Sequence, residues 1–299
     1  MPEGMARRYA IRDVLGEAVE RLAGAGLADP RREARTLWAA VAGRGVKPGD
    51  VWLGRDRPPA PDVARRFRRA VERRASGMPF GYAAGRADFR TLALRLDPRA
   101  LVPRPETEGL VELVLRETGK RDTGCGRRGV AADIGTGCGC IALSLAVEGR
   151  FERVVAVERS SDAAALALEN VALVQPSVPV EVREGDLLAP LAGERYRAIV
   201  SNPPYLTEAE YATLDPSVRL FEPREALVSG ADGLAATRAL LAGARALLEP
   251  GGFVALELDE RRADAVRALA LRHGWSRVAV YDDLFGRPRF LLAGLEEGV

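Results

Sequence analysis

Apolar positions in the first quarter of the chain recur at spacings of three and four: Ile11, Val14, Leu15, Ala18, Val19 and Leu22, then Ala34, Leu37 and Trp38, then Val63, Phe67, Ala70 and Val71. That period puts each set on one helical face and predicts helices from Tyr9 onward, over 30–41 and over 61–75. Gly24, Gly26, Gly43, Gly45 and the Pro58-Pro59 pair punctuate them. Residues 76–85 read as a Gly-rich connector. Over 88–96 the pattern shifts to alternation, with Phe89, Leu92, Leu94 and Leu96 apolar, which predicts one strand of a hairpin with Asp97-Pro98 as its turn. Leu110, Val111, Val114 and Leu115 mark a further helix. Pro105, Glu106 and Glu108 suit its start, because proline fits the first turn and carboxylates favour the positive end of the helix dipole.

After a polar, Gly-rich linker at 119–129, short apolar runs alternate with helical stretches. Strands are predicted at 130–134, 153–158, 180–184, 197–201, 252–258, 277–281 and 289–293, and helices at 138–147, 161–173, 231–248 and 260–273. That order predicts an α/β fold, a doubly wound, mostly parallel seven-stranded sheet ending in an antiparallel hairpin, behind a small helical bundle. The expected limits are a helical recognition domain over 1–80, a connector with the hairpin over 81–104, and the sheet domain over 105–299.

Composition adds little to the fold but narrows the chemistry. The chain has 299 residues, 47% of them hydrophobic, enough for two cores. Its net charge of +2 is unevenly spread: residues 1–88 hold 18 Arg/Lys against 11 Asp/Glu, a net of +7 that leaves −5 on the remainder. The helical part is therefore a candidate basic docking face. Cys125, Cys138 and Cys140, with His273 as the single histidine, make neither a zinc-ligand set nor a disulfide framework, which fits a reducing cytoplasm and no metal. The first 12 residues lack an apolar signal core, and no run of about 18 apolar residues occurs, so no membrane partner is expected.

The candidate chemistry gathers at the predicted carboxyl ends of strands, where open α/β sheets bind ligands. Asp133-Ile134-Gly135-Thr136-Gly137-Cys138-Gly139 follows the first strand. Its spacing departs from the Gly-x-Gly-x-x-Gly of a dinucleotide turn, and its leading carboxylate repels a pyrophosphate, so S-adenosylmethionine fits better than NAD. Glu158 ends the second strand, where an acid can accept both ribose hydroxyls. Gly185-Asp186-Leu187-Leu188 follows the third, offering a carboxylate for the adenine amino group and an apolar wall for its ring. Asn202-Pro203-Pro204-Tyr205 follows the fourth: the prolines stiffen the turn and present carbonyl acceptors, Asn202 adds a side-chain acceptor and Tyr205 a flat wall. Such a loop suits a planar NH2 group. Glu257 places another carboxylate near the same edge, and His273 reads as a helix-end histidine rather than a catalyst.

These motifs together resemble the class I S-adenosylmethionine-dependent methyltransferases, Rossmann-like in fold, and among them the peptide chain release factor glutamine methyltransferases (PrmC/HemK family). The resemblance rests on Arg73-Arg74 with Gly77-Met78-Pro79-Phe80-Gly81-Tyr82 and Gly85, on Leu101-Val102-Pro103-Arg104-Pro105-Glu106-Thr107-Glu108, on the Gly loop, on Asn202-Pro203-Pro204-Tyr205, and on Glu222-Pro223-Arg224. It implies that Asp133, Ile134, Gly135, Thr136 and Gly137 cradle the methionine part of the cofactor, that Glu158 holds the ribose, and that Asp186 and Leu187 meet the adenine. It also implies that Asn202, Pro203, Pro204 and Tyr205 grip a glutamine side chain, with Asn202, Pro203 and Tyr205 catalytic and Asn202 beside the cofactor. The implied substrate is the glutamine of the Gly-Gly-Gln motif of class I release factors, which ties the protein to translation termination, with no stable nucleic-acid binding. Two departures stand out: Glu158 where the family more often has Asp, and a Glu257-Leu258-Asp259-Glu260-Arg261 segment without the usual Gly and Gln. Three alternatives stay open: methylation of the adenine amino group in DNA after base flipping, methylation of a ribosomal-protein glutamine, and a non-catalytic cofactor-binding scaffold.

Overall fold

The computed structural model describes residues 9–43, 45–120 and 129–295, so the Cys125 reading lies outside them. The chain divides into two compact units, one of Met1–Ala87 with Pro216–Phe221 and the other of Asp88–Asp215 with Glu222–Val299.

In the first unit, α1 (Ile11–Gly24), α2 (Pro30–Ala42), α3 (Pro48–Leu53), α4 (Pro61–Ala75) and α5 (Phe80–Ala84) follow one another. The apolar faces read from the sequence meet in one core, where the Trp38 and Phe67 rings pack edge to face at 4.9 Å. Two of these helices fall where the pattern gave none. Pro48 opens α3 at its first turn, and the Asp50 carboxylate accepts the Lys47 N–H at 2.8 Å. Within the supposed connector, α5 forms because Tyr82 and Ala83 are buried, and Gly85 ends it at φ 70°.

The hairpin also differs from expectation. It pairs β1 (Arg86–Phe89) with β2 (Leu92–Arg95), and its turn is at Arg90 rather than at Asp97-Pro98. Arg90 adopts φ 50°, and tertiary partners hold it there: its N–H donates to Glu108 at 2.9 Å and its guanidinium to Glu148 at 2.8 Å. Asp97 instead makes its own turn by accepting from the Arg99 backbone and side chain.

The second unit contains α6 (Pro105–Lys120), β3 (Val130–Ile134), α7 (Cys140–Glu148), β4 (Arg153–Glu158), α8 (Ser161–Val174), β5 (Val180–Glu184), β6 (Tyr196–Ser201) and α9 (Glu208–Ala212). The segment of α10 (Pro216–Arg219) belongs to the first unit. Then come α11 (Ala235–Gly243), β7 (Leu248–Glu257), α12 (Ala263–Arg272), β8 (Arg277–Asp282) and β9 (Pro288–Gly294). The seven-stranded sheet has the order β5-β4-β3-β6-β7-β9-β8, parallel except where β9 runs against β7 and β8. Strand order therefore reverses between β3 and β6, which opens a crevice at their carboxyl ends.

Helix boundaries move where polar caps override the apolar run. The helix predicted over 231–248 begins at Ala235, because Gly230 and Gly233 both take φ 73° and Asp232 accepts the Leu234 N–H. It also ends early, in a 3-10 turn over Ala244–Leu247. The stretch predicted over 260–273 starts as a 3-10 turn capped by Asp259 before α12 begins. Nothing in the apolar pattern marked α9, a five-residue helix closed by reciprocal Thr207 and Glu210 bonds. His273 sits at the end of α12, as read.

Candidate active site

The β3 and β6 ends are in register, with Ile134 opposite Ser201, and the Ser201 hydroxyl donates to the Ile134 carbonyl at 2.7 Å. The glycine loop and the Asn-Pro-Pro-Tyr loop therefore leave the sheet side by side. Between them lies a cavity of about 640 Å3, a volume in the range of small-molecule sites. Ile134, Gly135 and Gly137 line one part, Glu158, Asp186 and Leu187 a second, and Asn202, Pro203 and Pro204 a third.

Each part is built locally. Gly135 takes φ 72°, its N–H donates to the Val157 carbonyl at 2.9 Å, and a Cβ placed on it meets nothing within 4 Å, so the loop presents bare backbone to open space. The Gly137 N–H donates to Glu158 Oε2 and the Ser160 N–H to Oε1, both at 2.9 Å. Glu158 is thus clamped by one N–H per oxygen and keeps acceptor capacity toward the cavity. Asn170 braces the loop from behind, donating to the Cys138 carbonyl at 2.8 Å. Leu187 adopts φ 46° and packs on the core while lining the cavity; Asp186 is exposed, 4.0 Å from Arg159.

Asp133 and Thr136 lie beneath the cavity wall rather than in it. Asp133 is fully buried, and its Oδ2 accepts the Thr136 hydroxyl at 2.6 Å and the Ala142 N–H at 3.0 Å, tying the loop to the start of α7. Burial pushes its carboxyl up to about 7, with the nearby Glu158 charge adding to the rise. Its Oδ1 has no partner among the described residues. A bare glycine backbone and, across the cavity, a carboxylate fixed by two backbone N–H groups with acceptor capacity to spare fit a nucleoside cofactor.

On the other side, Asn202 Nδ2 donates to the Thr107 hydroxyl at 3.1 Å, and that hydroxyl donates to Glu257 at 2.7 Å. Thr107 and Glu257 are each 2% exposed, and burial raises the Glu257 carboxyl to about 7. Tyr205 does not line the cavity. It is half-buried near Glu257, and desolvation pushes its phenol up to about 12. The chain beyond it is pinned by Leu206, whose N–H donates to Leu227 and whose carbonyl accepts from Ser229.

Two connections escaped the sequence reading. Glu222 is buried and accepts the Val102 N–H at 3.1 Å and the Arg104 guanidinium at 2.7 Å, joining the Pro-Arg-Pro string to Glu222-Pro223-Arg224. Helix-start chemistry accounts for Pro105, Glu106 and Glu108 but gives Arg104 no role, and the buried Glu222 does. The other is the Thr107–Glu257 bond. Among the described residues no cluster of His, Cys, Asp and Glu could hold a metal, and no helix is long and apolar enough to cross a membrane.

Residues 112–230 match the model of the methyltransferase small domain, and residues 13–85 that of the PrmC N-terminal domain. A release factor glutamine methyltransferase of Moorella thermoacetica is 42% identical, the alignment covering 95% of this chain and 98% of that protein. One from Cereibacter sphaeroides is 40% identical over the same shares. Among solved structures, the hMettl16 catalytic domain in complex with MAT2A 3′UTR hairpin 6 superposes with a TM-score of 0.54 at 17% identity, covering 79% of this chain and 82% of that one, a likeness of fold.

Proposed function

The chain belongs to the release factor glutamine methyltransferase family, and from that premise we propose how its residues divide the work. The protein is an S-adenosylmethionine-dependent enzyme that methylates the side-chain amide nitrogen of a release factor glutamine. Class I factors and their Gly-Gly-Gln glutamine are the substrate we assign, with the cytoplasm as the setting. The helical unit, matched by the PrmC N-terminal domain model, is the part we assign to docking the factor.

S-adenosylmethionine supplies an electrophilic methyl carbon. Gly135 and Gly137 offer it backbone, Asp133 and Thr136 shape that backbone from below, Glu158 takes the ribose hydroxyls, and Asp186 and Leu187 take the adenine. An amide nitrogen is a weak nucleophile because its lone pair is delocalised, so the protein contributes mainly orientation, worth roughly 7–11 kcal/mol when reactants are aligned. Asn202 Oδ1 and the Pro203 carbonyl accept the two N–H groups of the glutamine, which turns its lone pair toward the methyl carbon. The same acceptors stabilise positive charge growing on nitrogen. With the cofactor bound, its methyl group would pass from sulfur to the glutamine nitrogen, and the surplus proton would leave to water. Pro204 stiffens the turn and Tyr205 anchors its far end.

The observation that carries this reading is the register of β3 against β6, which sets the glycine loop and Asn202 on one cavity. The test is incubation with methyl-labelled cofactor and, separately, a class I release factor, the same factor with its Gly-Gly-Gln glutamine changed to alanine, and duplex DNA. Label on the intact factor alone is expected. Label on DNA, or cofactor binding without transfer to any of the three, overturns it.

A further inference from the structure

The family reading leaves Thr107 and Glu257 without a role, yet burying an acid is costly, and acids held at that cost gather at functional sites. A threonine has one hydrogen to donate and lone pairs to accept with. The Thr107 hydroxyl lies 2.7 Å from Glu257 Oε2, and an ionised carboxylate is acceptor only, so the hydrogen goes to Glu257. The oxygen can then only accept from Asn202, 3.1 Å away. The Asn202 amide is thereby held one way round, with NH2 toward Thr107 and Oδ1 left for the substrate. Reversed, it would offer a donor to a substrate group that is itself a donor.

We propose that Thr107 and Glu257 are positioning residues that fix the direction of the Asn202 amide, and so set whether the active-site loop accepts a substrate NH2. This rests on the functional reading above. Glu257 is faced by Thr107, Glu106 and Arg104 near the start of α6, by Arg289 on β9 and by Tyr205, and its burial outweighs the two arginines to raise its proton affinity. Once protonated, Glu257 can donate to Thr107. The threonine hydrogen is then free to point at Asn202, and the amide can turn over. Transfer falls as pH drops below about 7.

The test measures single-turnover methyl transfer to the release factor at saturating cofactor for wild type, Thr107→Val, Thr107→Ser and Glu257→Gln, with cofactor affinity and melting temperature recorded for each. Misplacing a substrate-orienting group can cost about 100-fold. Thr107→Val is expected to lose roughly that in kcat, with factor KM and cofactor affinity within about threefold of wild type, and Thr107→Ser to recover most of it. Glu257→Gln, should the valine variant fold poorly, is expected to lose the acid limb of the wild-type pH profile. Wild-type transfer with an undiminished Thr107→Val, a loss that serine does not rescue, or an acid limb retained in Glu257→Gln overturns this proposal alone. Absence of wild-type transfer to the factor overturns the functional reading and this one with it.

Discussion

Asp133 and Glu257 are two fully buried carboxylates at the carboxyl ends of strands in one sheet, each bonded to a threonine hydroxyl and each raised by burial to about 7. They differ in reach. Asp133 takes Thr136, three residues on, and the Ala142 N–H nine residues on, so it organises its own strand-to-helix turn. Glu257 takes Thr107, 150 residues away, and through it Asn202. The same chemical unit serves in one case to build a loop and in the other to aim one. Removing the first is expected to damage folding, and altering the second to damage chemistry.

The largest expected effect on stability follows from Asp133→Ala, which leaves the Thr136 hydroxyl and the Ala142 N–H without their partner. A buried group left unpaired costs about 1–3 kcal/mol, and a loss near 3 kcal/mol is expected in urea denaturation. Asp133→Asn sharpens the point: both bonds fall on Oδ2, so the amide oxygen can replace it with little loss. Next comes Gly135→Ala. Its left-handed backbone costs a side chain roughly 1–2 kcal/mol, and since the new Cβ meets nothing in the protein, calorimetric titration is expected to show a further drop in cofactor affinity.

A smaller effect separates Glu257 by pH. Its folded-state proton affinity lies above the ordinary 4.5, so the native state holds its proton more tightly than the unfolded chain does. The associated stability is full below the ordinary range and is lost as pH rises through about 7. Glu257→Gln is therefore expected to gain on wild type in urea midpoint between pH 5 and pH 8, and no relative change across that span would contradict the burial argument. Smallest of all, Arg159→Ala, which removes an exposed ion pair outside both arrangements, is expected to shift stability by less than about 0.5 kcal/mol.

The same contrast of reach governs what the sequence disclosed. The strands, the glycine loop, Glu158 and the proline loop were legible because each is a run of adjacent residues whose period or turn chemistry marks it. Helix α5 was hidden because burial of Tyr82 and Ala83 overrides a glycine-rich composition. The hairpin turn was hidden because Arg90 is held at positive φ by Glu108 and Glu148, partners no local window contains. Arg104 found its reason in Glu222, 118 residues on, and Thr107 in Glu257. An acid directly before a proline, and an acid inside an otherwise apolar strand, were the available signals; neither named its partner. That Asp133 and Thr136 lie under the cavity wall also needed the fold, since the motif reads the same with either facing the ligand.

The most direct test of the account is the single-turnover rate of methyl transfer to the release factor by Asn202→Ala at saturating cofactor, beside its cofactor affinity. Loss of one preorganised polar group at a reacting centre costs about 10²–10³-fold, and a fall of that size is expected with cofactor affinity kept within a few-fold of wild type. A rate within tenfold of wild type would contradict the claim that this loop orients the glutamine amide.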